Sequence, residues 1–380
     1  MKQARIFLLA VIALLPLVSV SCIGATQPTG GWSGPTVHDG VVYVGTRDGR
    51  LVAINTSTQI QQWDHAFTST IIYATPIVDG DLVYVGTYSG QIYALTLDRG
   101  AERWVYPRTG SIGAIVGTPV VVNETIYMSS SDGMVYALDT TYGDLKWKSE
   151  ILDEKGERPE RLWTSPVVHD GTVYVSTLDG HIYGVSAETG ELSEWSFKSG
   201  AGFASGPVIY EDTIFLGSFD RYLYAIRIGS NVSMWRFPQE KPAGNWFWGS
   251  PVVNDGIVYA GCLDGKLYAI NATTGKEIWS YTTKNQEDRA SSIVSSPVLM
   301  DNLLIVANDG GNVYVINRET GEAERIENPD NANDPTISAQ IRASLCAHDG
   351  LVYVRGEDNR LYAVDIDNRE VMWKVSLTIE

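Results

Sequence analysis

Cysteine is scarce. Cys22, Cys262 and Cys346 are the only three in 380 residues. Three thiols cannot make a disulfide framework or a zinc site of four thiolates. No two are adjacent, and neither a Cys-x-x-Cys-His haem motif nor a Gly-x-Ser-x-Gly nucleophile elbow occurs. Bases are also in short supply, with 28 Lys and Arg against 45 Asp and Glu and a net charge of −17. A nucleic-acid binder needs cations to displace phosphate counterions, so that class is excluded. Broad adsorption to anionic lipid is disfavoured for the same reason. Helical periodicity is missing too. Disorder does not follow from these shortages, because 44% of residues are hydrophobic and only 19% are charged. The length exceeds one ordinary core and fits two or three domains or one large repeat array.

The first segment reads as an address. Lys2 and Arg5 precede an apolar run, Ile6 to Val18, broken only by Pro16, and Ser19-Val20-Ser21 gives a small-x-small pattern. This is the three-part plan of a secretory signal peptide over residues 1–21, and the run is short for a bilayer span. Its removal takes away two bases and no acid, moving the balance from −17 to about −19. Val18-Ser19-Val20-Ser21-Cys22 resembles a bacterial lipobox, with Ser19 where leucine is usual. That resemblance implies lipidation of Cys22. The alternatives are cleavage to a soluble product and an uncleaved anchor. Residues 22–30 read as a tether rich in Gly, Thr and Pro.

Repeats fill residues 31–380. The segment Pro251-Val-Val-Asn-Asp-Gly256, Ile257 to Gly261, Asp264-Gly265, Leu267-Tyr268-Ala269-Ile270, Thr274-Gly275 and Trp279 sets the grammar. Its proline recurs as Pro35, Pro76, Pro119, Pro166, Pro207 and Pro297, with Ala343 in its place in the eighth copy. Its tryptophan recurs as Trp63, Trp104, Trp147, Trp195, Trp235 and Trp373, with Ile326 in the seventh. Spacings of 40 to 48 residues suit propeller blades rather than ankyrin, TPR or leucine-rich units. Each copy divides into four short strands separated by turn residues that tolerate positive φ. The expected fold is therefore all-β, a single eight-bladed β-propeller, since closing a ring of blades removes most exposed edges. The tryptophans are expected to dock adjacent blades. The alanines of strand three (Ala53, Ala94, Ala137, Ala225, Ala269, Ala363) leave room, and the turn glycines (Gly143, Gly190, Gly275, Gly321) supply backbone freedom.

This combination of alanine, Thr-Gly and tryptophan resembles the quinoprotein (PQQ-type) β-propeller repeat across nearly the whole mature chain. A lipoprotein-like signal followed by eight bare blades is similar in layout to the BamB-like outer-membrane assembly lipoproteins. The resemblance implies an extracytoplasmic scaffold for a membrane or exported protein, monomeric and held to the membrane through Cys22. Quinone-dependent dehydrogenases of the superfamily also need a vicinal Cys-Cys pair, a calcium-binding Glu/Asn set and a catalytic Asp. The missing pair and the missing long inserted loops point away from catalysis, so no catalytic residue, metal or cofactor is expected. A surface propeller that binds or senses a ligand or polysaccharide is the alternative.

The binding face follows from loop length. In such a blade the turn between strands two and three shares a face with the links between blades. The links vary most, with long runs at Lys148–Ser165, Arg236–Ser250, Ser280–Ser296 and Glu327–Arg342. Insertions confined to one face mark it for binding. Three places before the proline stand Trp32, Tyr73, Trp163 and Trp248, with Trp246, Phe247 and Phe203 nearby. These rings are expected at the channel mouth, either as a platform or as packing for the blade tops. The Asp-Gly pairs at Asp48, Asp132, Asp179, Asp264 and Asp309 lack the extra carboxylates of a calcium cage and read as turns. His38, His169 and His348 are expected to sit far apart on the ring, with His65 and His181 isolated. Cys262 and Cys346 fall on non-adjacent blades and should be free thiols. Asn55, Asn123, Asn231 and Asn271 begin glycosylation sequons.

Overall fold

The structure is a computed structural model that describes residues 32–378, apart from 153–160, 204, 286, 327–336 and 338. The readings of residues 1–31, including Cys22, lie outside the described residues, as does most of the link from Glu327. The rest folds as eight four-stranded antiparallel sheets, each built from four consecutive strands. The first blade holds β1 (Thr36–His38), β2 (Val41–Gly45), β3 (Arg50–Asn55) and β4 (Gln61–Ala66). The count runs on by four to the last blade, β29 (Cys346–His348), β30 (Leu351–Gly356), β31 (Arg360–Asp365) and β32 (Glu370–Ser376). Innermost strands of three residues ring the hub, and β1 lies beside both β29 and β5 (Ile77–Asp79). The ring thus closes without an exchanged strand, and the seam is a packing surface shared by Val42, Val44, Ile54, Tyr353 and Trp373.

Local chemistry explains the blade. His38 pairs with Val41 across a two-residue turn in which Asp39 and Gly40 both have positive φ, 46° and 70°. That is the primed hairpin geometry whose twist matches the strands. The two middle strands are buried on both faces, since each blade is covered by two neighbours, so they read as nearly continuous apolar runs.

The tryptophans reach across to the next blade. Trp104 Nε1 donates to Thr140 O at 2.9 Å in the next blade, and Tyr84 Oη donates to the same carbonyl at 3.3 Å. Trp147 and Tyr127 repeat this on Ala187 O, and Trp279 and Tyr259 on Arg318 O. The two rings lie 5.7–5.9 Å apart in these blades. Glycine's role is spatial as well as conformational. A Cβ on Gly275 (φ +66°) would meet the Trp235 ring at 2.6 Å, so the turn is a bare seat for the preceding blade's indole. Alanine stands directly opposite its own blade's tryptophan, Ala269 against Trp279 for example, and a bulge follows it.

The buried phenols make stability pH-dependent. Burial, reinforced by Asp39 at Tyr43 and by Asp79 at Tyr84, pushes both hydroxyls from 10.0 up to about 12. A raised folded pKa gives stability that is complete below the unfolded pKa and lost as pH climbs through the folded one. The urea midpoint should therefore fall between pH 10 and 12. A midpoint constant across that window would contradict this packing.

Candidate functional site

Where the extended link that precedes the innermost strand is described, its side chains alternate, as extended chain must. There the residue four places before the strand-leading proline plugs the seam, and the residue three places before it faces the channel. Ile72, Ile115, Phe247 and Ile293 are plugs. They lie where a Cβ on Gly45, Gly86, Gly217 or Gly261 of the preceding blade would collide with them. Phe203 also stands four places before its proline and is fully buried. This corrects the expectation for Phe247 and Phe203. Phe247 is 0% exposed, packed between Phe237 and Tyr268, and supports the face from beneath. In blade eight the seat holds Arg355 instead, buried, with its guanidinium pushed down to about 10 by desolvation.

The channel-facing set forms the site. Trp32, Tyr73, Trp163 and Trp248 all line one basin of about 580 Å³ at the mouth of the hub, with Val116 and Val294 at the equivalent places. That volume lies within the usual range for ligand sites. Trp246 stands just outside, edge-on to Phe219 at 5.2 Å, and Phe219 also meets Trp248 at 6.0 Å. Across the basin Trp32 meets Tyr73 at 6.0 Å and 90°, and Tyr73 meets Tyr88 at 5.5 Å. Burial, with lesser pushes from Tyr88 and Glu357, raises the Tyr73 hydroxyl to about 12.

Sequence reasoning missed four wall residues. Tyr88 and Phe219 come from the turns between strands two and three, at a place where Arg47, Ser131 and Leu178 stand in other blades. Arg161 lies over the Trp163 ring at 5.3 Å. Arg342 lies over Trp32 at 5.5 Å and donates from Nε to Asp309 Oδ1 at 2.9 Å. Arg342 was hidden by a register error. Leu345, not Ala343, directly precedes β29 and occupies the proline's place. Counting back three from Leu345 gives Arg342.

Below the rings runs a girdle of hydroxyls. Gly34 N donates to Thr75 Oγ1 at 3.2 Å, Thr75 N to Thr118 Oγ1 at 3.1 Å, Thr118 N to Ser165 Oγ at 2.9 Å, and Ser250 N to Ser296 Oγ at 3.0 Å. Each hydroxyl stitches its blade to the one before it. Among the described residues the lining contains one carboxylate, Asp132. Its Oδ1 accepts Met134 N at 3.1 Å, and its Oδ2 accepts Tyr136 Oη at 2.7 Å and Gly113 N at 3.3 Å. Asp264 is engaged in the same way by Lys266 N and Tyr268 Oη, which makes these Asp-Gly pairs turn devices.

The remaining chemistry-bearing residues lie elsewhere. His169 meets Asp170 at 3.5 Å and Asp212 at 3.6 Å on exposed turns of blades four and five, away from the links. Blades one and eight adjoin in the closed ring, so His38 and His348 lie on neighbouring blades rather than far apart. Cys262 and Cys346 are free. Burial pushes both thiols up, and Cys262 Sγ donates to Asn245 O at 3.3 Å. Asn55 and Asn271 use their side chains as acceptors for Thr58 and Thr274 in tight turns.

The fold and its aromatic channel mouth define an eight-bladed propeller of the PQQ-type repeat class. The family model described as outer membrane protein assembly factor BamB matches residues 23–236 and 158–375, and the chain belongs to that family. Among solved structures, BamB from Moraxella catarrhalis is 18% identical, with a TM-score of 0.64 over 89% of this chain and 94% of that one. The computationally designed Ika8 protein is 16% identical, with a TM-score of 0.70 over 90% and 97%. A quinohemoprotein alcohol dehydrogenase from Comamonas testosteroni is 14% identical, with a TM-score of 0.65 over 88% and 71%. At these identities the likeness is one of fold. No curated protein sequence matches the chain.

Proposed function

We propose that this chain is a non-catalytic, extracytoplasmic propeller lipoprotein, anchored through Cys22, that acts as a monomeric scaffold in the assembly of outer-membrane proteins. The observation that carries the reading is the link face itself. Rings from five different blades converge on one open basin, and hydroxyls at four blade seams tie down the links that carry Trp32, Tyr73, Trp163 and Trp248. Aromatic anchors in a preorganised concavity are what protein recognition uses. The family's description and its BamB relative support assembly as the context.

The dehydrogenase reading draws on the same fold and is the weaker one. A calcium–quinone pair at the hub needs free carboxylates. Asp132 is the one carboxylate among the described lining residues, and both its oxygens are engaged. Among the described lining residues no free carboxylate is offered to that pair. Dye reduction after addition of quinone, calcium and an alcohol tests this directly, and none is expected. Mass spectrometry of the mature N-terminus is expected to show a diacylated Cys22. An unmodified residue there would remove the anchor from the proposal. Binding of saccharide is a second reading, favoured by the half-buried indoles that line the basin.

A further inference from the structure

Among the described residues the charged lining of the basin is mostly cationic. Arg161 covers Trp163 and has no carboxylate within ion-pair distance among the described residues. Arg342 spends its Nε on Asp309 and lays its guanidinium against Trp32. The girdle hydroxyls of Thr75, Thr118, Ser165 and Ser296 each accept one backbone N–H and keep a proton to donate and a second lone pair. The one carboxylate among the described lining residues is engaged in its turn. A chain of net charge −17 therefore places unspent donors and two guanidiniums together at its hub.

We propose that the basin binds an acidic oligosaccharide, a short chain of carboxylate-bearing sugars. The carboxylates pair with Arg161 and Arg342, where charge-assisted hydrogen bonds are the strong ones. The C–H face of a sugar ring packs on Trp248, while Trp163 and Trp32 back the two guanidiniums. An acidic peptide offers the same carboxylates without the sugar-ring faces, which makes it the control. A neutral sugar leaves Arg161 unpaired. The inference rests on the reading that the link face is the binding face.

The test is calorimetric titration of the full soluble chain with α-1,4-linked trigalacturonic acid, maltotriose and the blocked tripeptide Ac-Glu-Glu-Glu-NH2. Trigalacturonic acid is expected to bind one to one, at least tenfold tighter than the other two. Arg161→Gln should lose at least tenfold of that affinity and flatten its salt dependence. Arg108→Gln, which breaks an exposed pair with Asp144 outside the basin, should change neither. Equal affinity for acidic and neutral trisaccharide, tighter binding of the peptide, no binding at all, or an unaffected Arg161→Gln would each overturn the inference. If capture of a membrane protein survives while sugar binding is absent, the inference fails and the scaffold reading stands. If sugar binds and capture is absent, the reverse holds.

Discussion

Replacing Trp235 with alanine lowers the stability of the ring by about 3–5 kcal/mol. The indole is 8% exposed and lies between two blades. It faces Phe215 at 5.8 Å, its Nε1 donates to Ala272 O at 2.9 Å, and it rests on the bare turn at Gly275. Truncation leaves a void and takes the donor from a buried carbonyl, so transfer, cavity and hydrogen-bond costs act together. Trp235→Phe keeps part of the packing and should cost less. Gly275→Val should also destabilise, since its Cβ would enter the ring and its φ is positive. Trp279, half-buried, is expected to show the same sign with a smaller drop. The check is a urea midpoint and a thermal melt for each variant. A loss below about 1 kcal/mol for Trp235→Ala would mean that the indole does not hold the blades together.

Trp248→Ala is expected to leave the melting temperature nearly unchanged and to weaken capture of the partner at least tenfold. Its neighbour gives the contrast. Phe247 is fully buried in the seam against Gly217, so Phe247→Ala should unfold the blade pair at lower temperature, with a cavity cost of about 3–5 kcal/mol. Trp248 instead lines the basin and touches Phe219, and an aromatic anchor in such a place commonly carries about 2 kcal/mol or more of binding. The measurement pairs quantitative pull-down from detergent-solubilised membranes with thermal melts of both variants. Undiminished capture by a well-folded Trp248→Ala protein would remove this residue from the interface.

Blade number, strand division, turn positions and the docking tryptophans were legible because each is repeated down the chain. A pattern written eight times survives local exceptions such as Ile326 in place of tryptophan. The site was legible only in part, for reasons of register. Proline marks the strand start in seven copies, and where Leu345 replaces it the reading slipped by two and hid Arg342. Phe247 and Trp248 differ by one place, which in extended chain means opposite sides, one towards the seam and one towards the channel. Nothing in the aromatic character of either distinguishes them. The seat at Gly217 does, because only a missing Cβ leaves room for Phe247. The shared carbonyl under Trp104 and Tyr84 was likewise invisible, since two donors 20 residues apart in sequence meet an acceptor in another blade.

Site-specific photocrosslinking in living cells tests the central claim most directly. A photoreactive residue at position 73, on the basin, and another at position 231, on a turn of the opposite face, would be irradiated in parallel. The scaffold reading expects a discrete adduct with one envelope protein from position 73 and none from position 231. Adducts from 231 alone, or the same adducts from both, would contradict it.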